Sequence, residues 1–198
     1  MRHLAAALPL ALAALAGAAL PARAGDASRG AALAEPCAAC HGPRGRSAME
    51  NVPSLAGQPE TYLTLQLILF REKLRDVEPM STLVRELTDA QVEDIAAYYA
   101  GLPPGFPPGQ MPPPGAALLA RARPLAEAAH CNVCHLPSYA GRDNVPRLAG
   151  QREDYLRHAL QGYRDGSRTG ADTQMNGIAA ALSAEDIAAL AHFLARRN

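Results

Sequence analysis

The amino-acid sequence predicts an all-α protein made of two tandem copies of one small helical domain, joined by a proline-rich strap. Three observations carry that prediction. First, the chain repeats itself in order: "CAACHG" at 37–42 returns as "CNVCHL" at 131–136, "NVPSLAGQPETYL" at 51–63 as "NVPRLAGQREDYL" at 144–156, and "LTDAQVEDIAAYYA" at 87–100 as "LSAEDIAALAHFLA" at 182–195. Second, apolar residues recur at helical spacing, and no run shows a convincing strand alternation. Third, "GLPPGFPPGQMPPPG" at 101–115 is too dense in proline for helix or sheet and reads as an extended, semi-rigid connection. A repeat in fixed order marks a duplicated domain, and two copies are too few to stack a solenoid, so each should be globular.

Taken along the chain, residues 1–24 read as a secretory signal peptide: Arg2 and His3 at the start, an apolar run from Leu4 to Leu20, and the small-x-small pattern Ala22-Arg23-Ala24. Pro9, Gly17 and many alanines make that run short and weak for a membrane span. The first domain is expected at 25–103, the strap at 104–114 and the second domain at 115–198. Short helices are expected at Ala27–Ala34 and Ala116–Ala122, ahead of each cysteine pair. "TYLTLQLILFREKLR" and "DYLRHALQGYRDG" supply a middle helix in each copy. The last helix of the first copy places Val92, Ile95, Ala96 and Tyr99 on one face and starts at a capping box, Thr88 to Gln91. The last helix of the second copy does the same with Ile187, Leu190, Ala191 and Leu194, starting at Ser183 with Asp186 in the glutamine's place.

The apolar supply is thin for two domains. There is no Trp, with three Phe and six Tyr, and alanine dominates the hydrophobic count. Small domains of this kind bury too little surface alone, so a large apolar group is expected from outside the chain. The cysteines say which. All four, Cys37, Cys40, Cys131 and Cys134, lie in two Cys-x-x-Cys units. A redox dithiol of the thioredoxin kind needs a strand–helix setting that is absent from the pattern. A structural zinc site needs four ligands, and each unit offers two cysteines and one adjacent histidine. Cys-x-x-Cys-His is the attachment signal for c-type haem: two thioethers anchor the porphyrin, and His41 or His135 follows as the proximal ligand. Two covalently bound haem c groups are therefore expected.

The sixth ligand decides between a closed iron and an open one. Met80 lies 39 residues after His41, and Met175 lies 40 after His135. Each stands seven residues before the last helix's first leucine, Leu87 or Leu182. A lone methionine is usually core filling; matched positions in both copies favour axial ligation. Met49 follows His41 too closely and has no partner in the second copy, and Met111 lies in the strap. His130, His158 and His192 are expected in surface or capping roles, with His130 or His158 as the rival axial candidate. His/Met ligation raises the reduction potential and fills both axial positions.

These features together, namely the repeated CxxCH, the VPxLAGQ-x-x-x-YL stretches, Met80, Met175 and "GIAAALSAEDIAALAHFLA", resemble the dihaem cytochromes c4 over essentially the whole chain after residue 24. The resemblance implies two class I cytochrome c domains related by an approximate twofold, with haem propionates facing each other across the domain interface. It also implies that the carbonyls of Pro53 and Pro146 accept from Nδ1–H of His41 and His135, fixing the imidazole tautomer. Tyr62, Tyr155, Gln58 and Gln151 recur at equal places and suit either propionate contact or packing; Arg71 and Arg164 are candidate propionate partners. The second copy carries two extra residues ahead of Met175, around "SRTGADTQM".

Charge is neutral overall but divided. Residues 25–105 hold 7 Lys+Arg against 11 Asp+Glu, and residues 106–198 hold 10 against 8. A dipole of that kind steers encounters between proteins more than it adds affinity; scattered solubilising charge is the alternative. No basic run suits nucleic acid. The function expected is a periplasmic, monomeric electron carrier, not an enzyme. Its partners would be redox proteins: a quinol-oxidising complex on one side, a terminal oxidase or reductase on the other, with peripheral membrane association possible. The alternatives are the cytochrome subunit of a flavocytochrome c sulfide dehydrogenase-type enzyme, and a dihaem peroxidase, which needs an open iron.

Overall fold

The computed structural model describes residues 25–106, 113, 115–171 and 173–197; the expected signal peptide, most of the strap and Met111 lie outside the described residues. Among the described residues the chain is helical, and its one β feature is an isolated bridge between Arg142 and Val145. The first copy runs α1 (Ala27–Leu33), α2 (Ala38–His41), α3 (Glu60–Arg71), α4 (Met80–Leu83) and α5 (Asp89–Ala100). The second runs α6 (Ala116–Ala128), α7 (Cys131–Cys134), α8 (Glu153–Asp165), α9 (Gln174–Ala180) and α10 (Ala184–Ala195). Element for element the order is the same, so the repeat in sequence is a repeat in fold.

Each last helix starts at a cap. The Thr88 hydroxyl accepts from the Gln91 N–H while the Gln91 side chain accepts from the Thr88 N–H. Ser183 and Asp186 make the same reciprocal pair on α10. These helices organise the copies: α5 packs on α1 and α3, and α10 packs on α6 and α8. Ala34, Leu63, Ile95, Ala96 and Tyr99 form the first core. The second is larger, and α10 is buried without interruption from Ala189 to Ala195. A helix apolar on all sides belongs inside.

The α1–α5 crossing depends on Gly30, where a Cβ would overlap the Asp94 carbonyl. Asp94 itself is 4 % exposed. It accepts from the Asp26 N–H at 2.7 Å and from both Nε and Nη2 of Arg29, each at 2.7 Å. A carboxylate taken out of water needs such partners. The second copy has Ala189 at this position, so the ion pair belongs to the first domain.

Two elements differ from expectation. α6 continues to Ala128 instead of stopping at Ala122, passing through Pro124. The proline forfeits one backbone bond, to a carbonyl on the exposed residue Ala120 that water can satisfy, whereas Ala122 and Ala126 are buried beyond it. His192 is 4 % exposed, not a surface residue. Its Nδ1 bonds to Glu153 Oε2 at 2.9 Å, and its Nε2 accepts from the Gly115 N–H at 3.1 Å. It thereby ties the far end of the strap to α8 and α10. The near end is held by Arg46, whose Nε and Nη2 donate to Pro103 O at 3.2 and 2.9 Å.

Thr88→Ala should cost about 1 kcal/mol through the lost cap. Asp94→Ala should cost more, because it leaves Nε and Nη2 of Arg29 and the Asp26 amide without their acceptor. Urea titration of the haem-loaded protein measures both; an Asp94→Ala midpoint no lower than that of Thr88→Ala would contradict the assignment.

Candidate haem centres

The two attachment motifs sit on single helical turns. Cys37 caps α2, which contains Cys40 and ends at His41; Cys131 and Cys134 bound α7, and His135 caps it. No disulfide joins any of the four cysteines. Three-residue spacing on a helical turn brings both sulfurs to one side. His41 is 5 % and His135 6 % exposed. His41 Nδ1 lies 2.9 Å from Pro53 O, and His135 Nδ1 lies 2.8 Å from Pro146 O. A carbonyl can only accept, so Nδ1 carries the proton in both rings. Burial pushes both imidazoles below the ordinary histidine value, against the pull of those carbonyls. The rings are therefore neutral, and Nε2 keeps the lone pair that a metal requires. The described residues contain no cluster of three or more His, Cys, Asp or Glu that could hold a metal ion by protein groups alone.

Met80 opens α4 against α3, and Met175 is the second residue of α9 against α8. Both are half-buried. In each copy the next residue anchors the loop. The Ser81 hydroxyl accepts from the Val77 N–H at 3.0 Å, and Asn176 Nδ2 donates to Tyr163 O and Arg168 O, each at 2.9 Å. Met49 is 47 % exposed, and His130 and His158 are exposed.

Arg71 is engaged within its own domain, by Asp89 and Glu72 at 2.8 Å and by Leu87 O at 2.9 Å. The arginines at the seam are Arg75 and Arg168, which the sequence reading passed over. They are 93 residues apart, the same separation as Tyr62 and Tyr155, and that match was the available signal. Arg168 donates to Tyr155 Oη at 3.0 Å and lies 4.8 Å over the Tyr163 ring; Arg75 lies 4.4 Å over the Phe70 ring. Burial alone would raise the Tyr155 phenol, but Arg168 and Arg75 outweigh it and hold it at about 8. Burial pushes Tyr62 upward. Nε of both arginines is buried with no protein partner. A pair of half-buried cations whose buried Nε donors are spare fits a group that carries carboxylates, as haem does.

The family model for cytochrome c matches residues 27–102 and 119–197. Cytochrome c4 of Pseudomonas aeruginosa is 38 % identical, over 86 % of this chain and 88 % of that protein. The chain belongs to the cytochrome c4 family. The reduced cytochrome c4 from Pseudomonas stutzeri superposes with a TM-score of 0.79 at 34 % identity, covering 88 % of this chain and 100 % of that one. A thiosulfate dehydrogenase from Marichromatium purpuratum matches with a TM-score of 0.74 at 31 % identity, covering 87 % of this chain but 40 % of that one. This cytochrome is accordingly a dihaem electron-transfer protein with two covalently bound haem c groups in two class I domains.

The seam between the cytochrome's two domains is polar. Gln58 and Gln151 are both buried there, and neither is spent on side-chain packing alone. Each forms a paired amide bond to the opposite domain's backbone, Gln58 with Arg147 and Gln151 with Ser54. Two unduplicated contacts add to them: Arg152 Nη1 donates to Ser47 O at 3.2 Å, and Asp154 Oδ2 accepts from the Asn51 N–H at 3.0 Å.

Replacing Cys37 and Cys40 together by serine should leave one covalent haem per chain, as should replacing Cys131 and Cys134. A haemochrome assay on denatured protein reads this directly; two haems in either double variant would overturn the attachment sites.

Proposed function

We propose that this cytochrome is a periplasmic carrier that takes electrons singly from a quinol-oxidising complex or a dehydrogenase and passes them towards a terminal oxidase or reductase. The observation that supports this reading is the matched placement, in both copies, of a buried Nδ1-tethered histidine and a methionine on a short helix packed against the middle one. Cys37 and Cys40 would hold one haem and Cys131 and Cys134 the other. His41 with Met80, and His135 with Met175, would be the axial pairs. When bound, haem supplies a one-electron couple at each iron, and a thioether ligand favours the ferrous form. The protein's part is to present the two ligands from fixed helices, to exclude water with its apolar cores, and to leave no axial position for a substrate. Pro53 and Pro146 would strengthen donation from the histidines by accepting their Nδ1 protons.

Export through residues 1–24 supports the periplasmic assignment, and among the described residues no helix is long and apolar enough to cross a membrane. The likeness to the Marichromatium thiosulfate dehydrogenase favours a second reading, in which the donor is a sulfur-compound dehydrogenase and this chain is its cytochrome partner. A flavocytochrome c sulfide dehydrogenase subunit belongs to the same class.

Carbon monoxide should leave the dithionite-reduced spectrum of the native protein unchanged, because both irons are closed. A shift in part of the haem absorbance would mean an open iron and would return the peroxidase reading. Met80→Ala should make one haem of the two reactive to carbon monoxide, and Met175→Ala the other. Purification from the source membrane and soluble fractions separates the two donor readings: a stoichiometric dehydrogenase retained through ion exchange supports the second and overturns the free carrier.

A further inference from the structure

The paired glutamines do more than join the domains. Gln58 Nε2 donates to Arg147 O at 2.9 Å, and Gln58 Oε1 accepts from the Arg147 N–H at 3.0 Å. Gln151 repeats this on Ser54, donating to its carbonyl and accepting from its N–H, both at 2.8 Å. Ser54 and Arg147 are equivalent residues, and each directly follows the proline whose carbonyl accepts from a proximal histidine. The N–H of Arg147 and the carbonyl of Pro146 belong to one peptide plane, as do the N–H of Ser54 and the carbonyl of Pro53. A chain of bonds therefore runs from Gln58 Oε1 through that peptide to Nδ1 of His135. The mirror chain runs from Gln151 Oε1 to Nδ1 of His41.

An amide that donates at nitrogen becomes a better acceptor at oxygen, because both bonds draw on the same resonance. Such cooperativity is worth roughly 10–30 % per bond in condensed phases. The seam is also buried, where hydrogen bonds are least diluted by water: Gln58 is 5 %, Gln151 4 % and Ser54 4 % exposed. A stronger Nδ1–H bond gives the imidazole more imidazolate character and favours ferric iron.

We propose that Gln58 and Gln151 are positioning residues that act crosswise, each setting the proximal hydrogen bond, and through it the reduction potential, of the haem in the opposite domain. The proposal rests on His41 and His135 being the iron ligands. It separates two roles that one interface residue could have. A residue that only glues the domains affects both haems alike, or the nearer one more. A residue acting through the Pro–X peptide affects the far haem selectively.

The test uses the full-length, haem-loaded protein labelled with 15N-histidine. Wild-type ferrous spectra come first: Nε2 signals of iron-bound, low-spin haem at both His41 and His135 establish the ligands, and their absence would sink that assignment independently of any variant. Gln58→Leu is then expected to move the Nδ1–H resonance of His135 to higher field and to raise the potential of the second-domain haem, leaving His41 and its haem in place. Gln151→Leu is expected to do the reverse. Gln58→Met repeats the experiment with a more adaptable side chain should leucine disturb folding. Arg152→Ala, which removes the Nη1 contact to Ser47 O but keeps the Arg152 N–H that Gln151 Oε1 also accepts, is expected to shift neither Nδ1–H resonance. A response at the glutamine's own domain, an equal response at both haems, no response, or the same response from Arg152→Ala would overturn the proposal.

Discussion

The bond from each buried imidazole to a proline carbonyl constrains the rest of the molecule. It fixes the histidine's proton on Nδ1, and burial keeps the ring neutral against the carbonyl's pull, so Nε2 is kept for a metal. It also requires the VPxLAGQ loop to lie against the end of the CxxCH turn, twelve residues away in one copy and eleven in the other. The loop is in turn pinned to the last helix, by the Gly57 N–H on Tyr99 O and the Gly150 N–H on Leu194 O. Attachment motif, loop and final helix thus form one connected unit in each copy, and the two loops meet where the domains meet.

Much of this was legible in the sequence because the chain is written twice. Repetition turned single weak signals into paired ones: the capping residues Thr88 and Ser183, the helix faces, Met80 and Met175 at matched distances. The last helices begin where the capping boxes put them, since a cap is a local device that depends on residues three apart. The fold class follows from the same repetition, and so does the need for an apolar group in cores this poor in aromatics.

What was not legible depends on long-range neighbours. Nothing local marks Asp94 as a buried carboxylate until Asp26 and Arg29 are seen to meet it. His192 carries no sign that Glu153 and Gly115 bracket it. Arg71 ends α3 and Arg75 lies four residues on, in the bend that follows it, and composition cannot say which one faces the seam. Arg75 was recoverable from its match with Arg168, but Arg71 and Arg164 match equally well, so repetition alone could not choose. α6 outran expectation because burial of Ala126 against α10 outweighs the local penalty of Pro124.

The strap has a consequence for how small the seam can be. Both of its ends are fastened, Pro103 to Arg46 and Gly115 to His192, so the connection between them keeps the two domains within each other's reach. Pairing is then an intramolecular event, and a short tether supplies an effective concentration on the order of millimolar. Under that condition the paired amides, the seam arginines and the Asn51–Asp154 contact need not supply the affinity that two free proteins would require. A seam freed from supplying affinity can be built from groups that communicate, and glutamine amides reaching into a neighbour's peptide plane are groups of that kind.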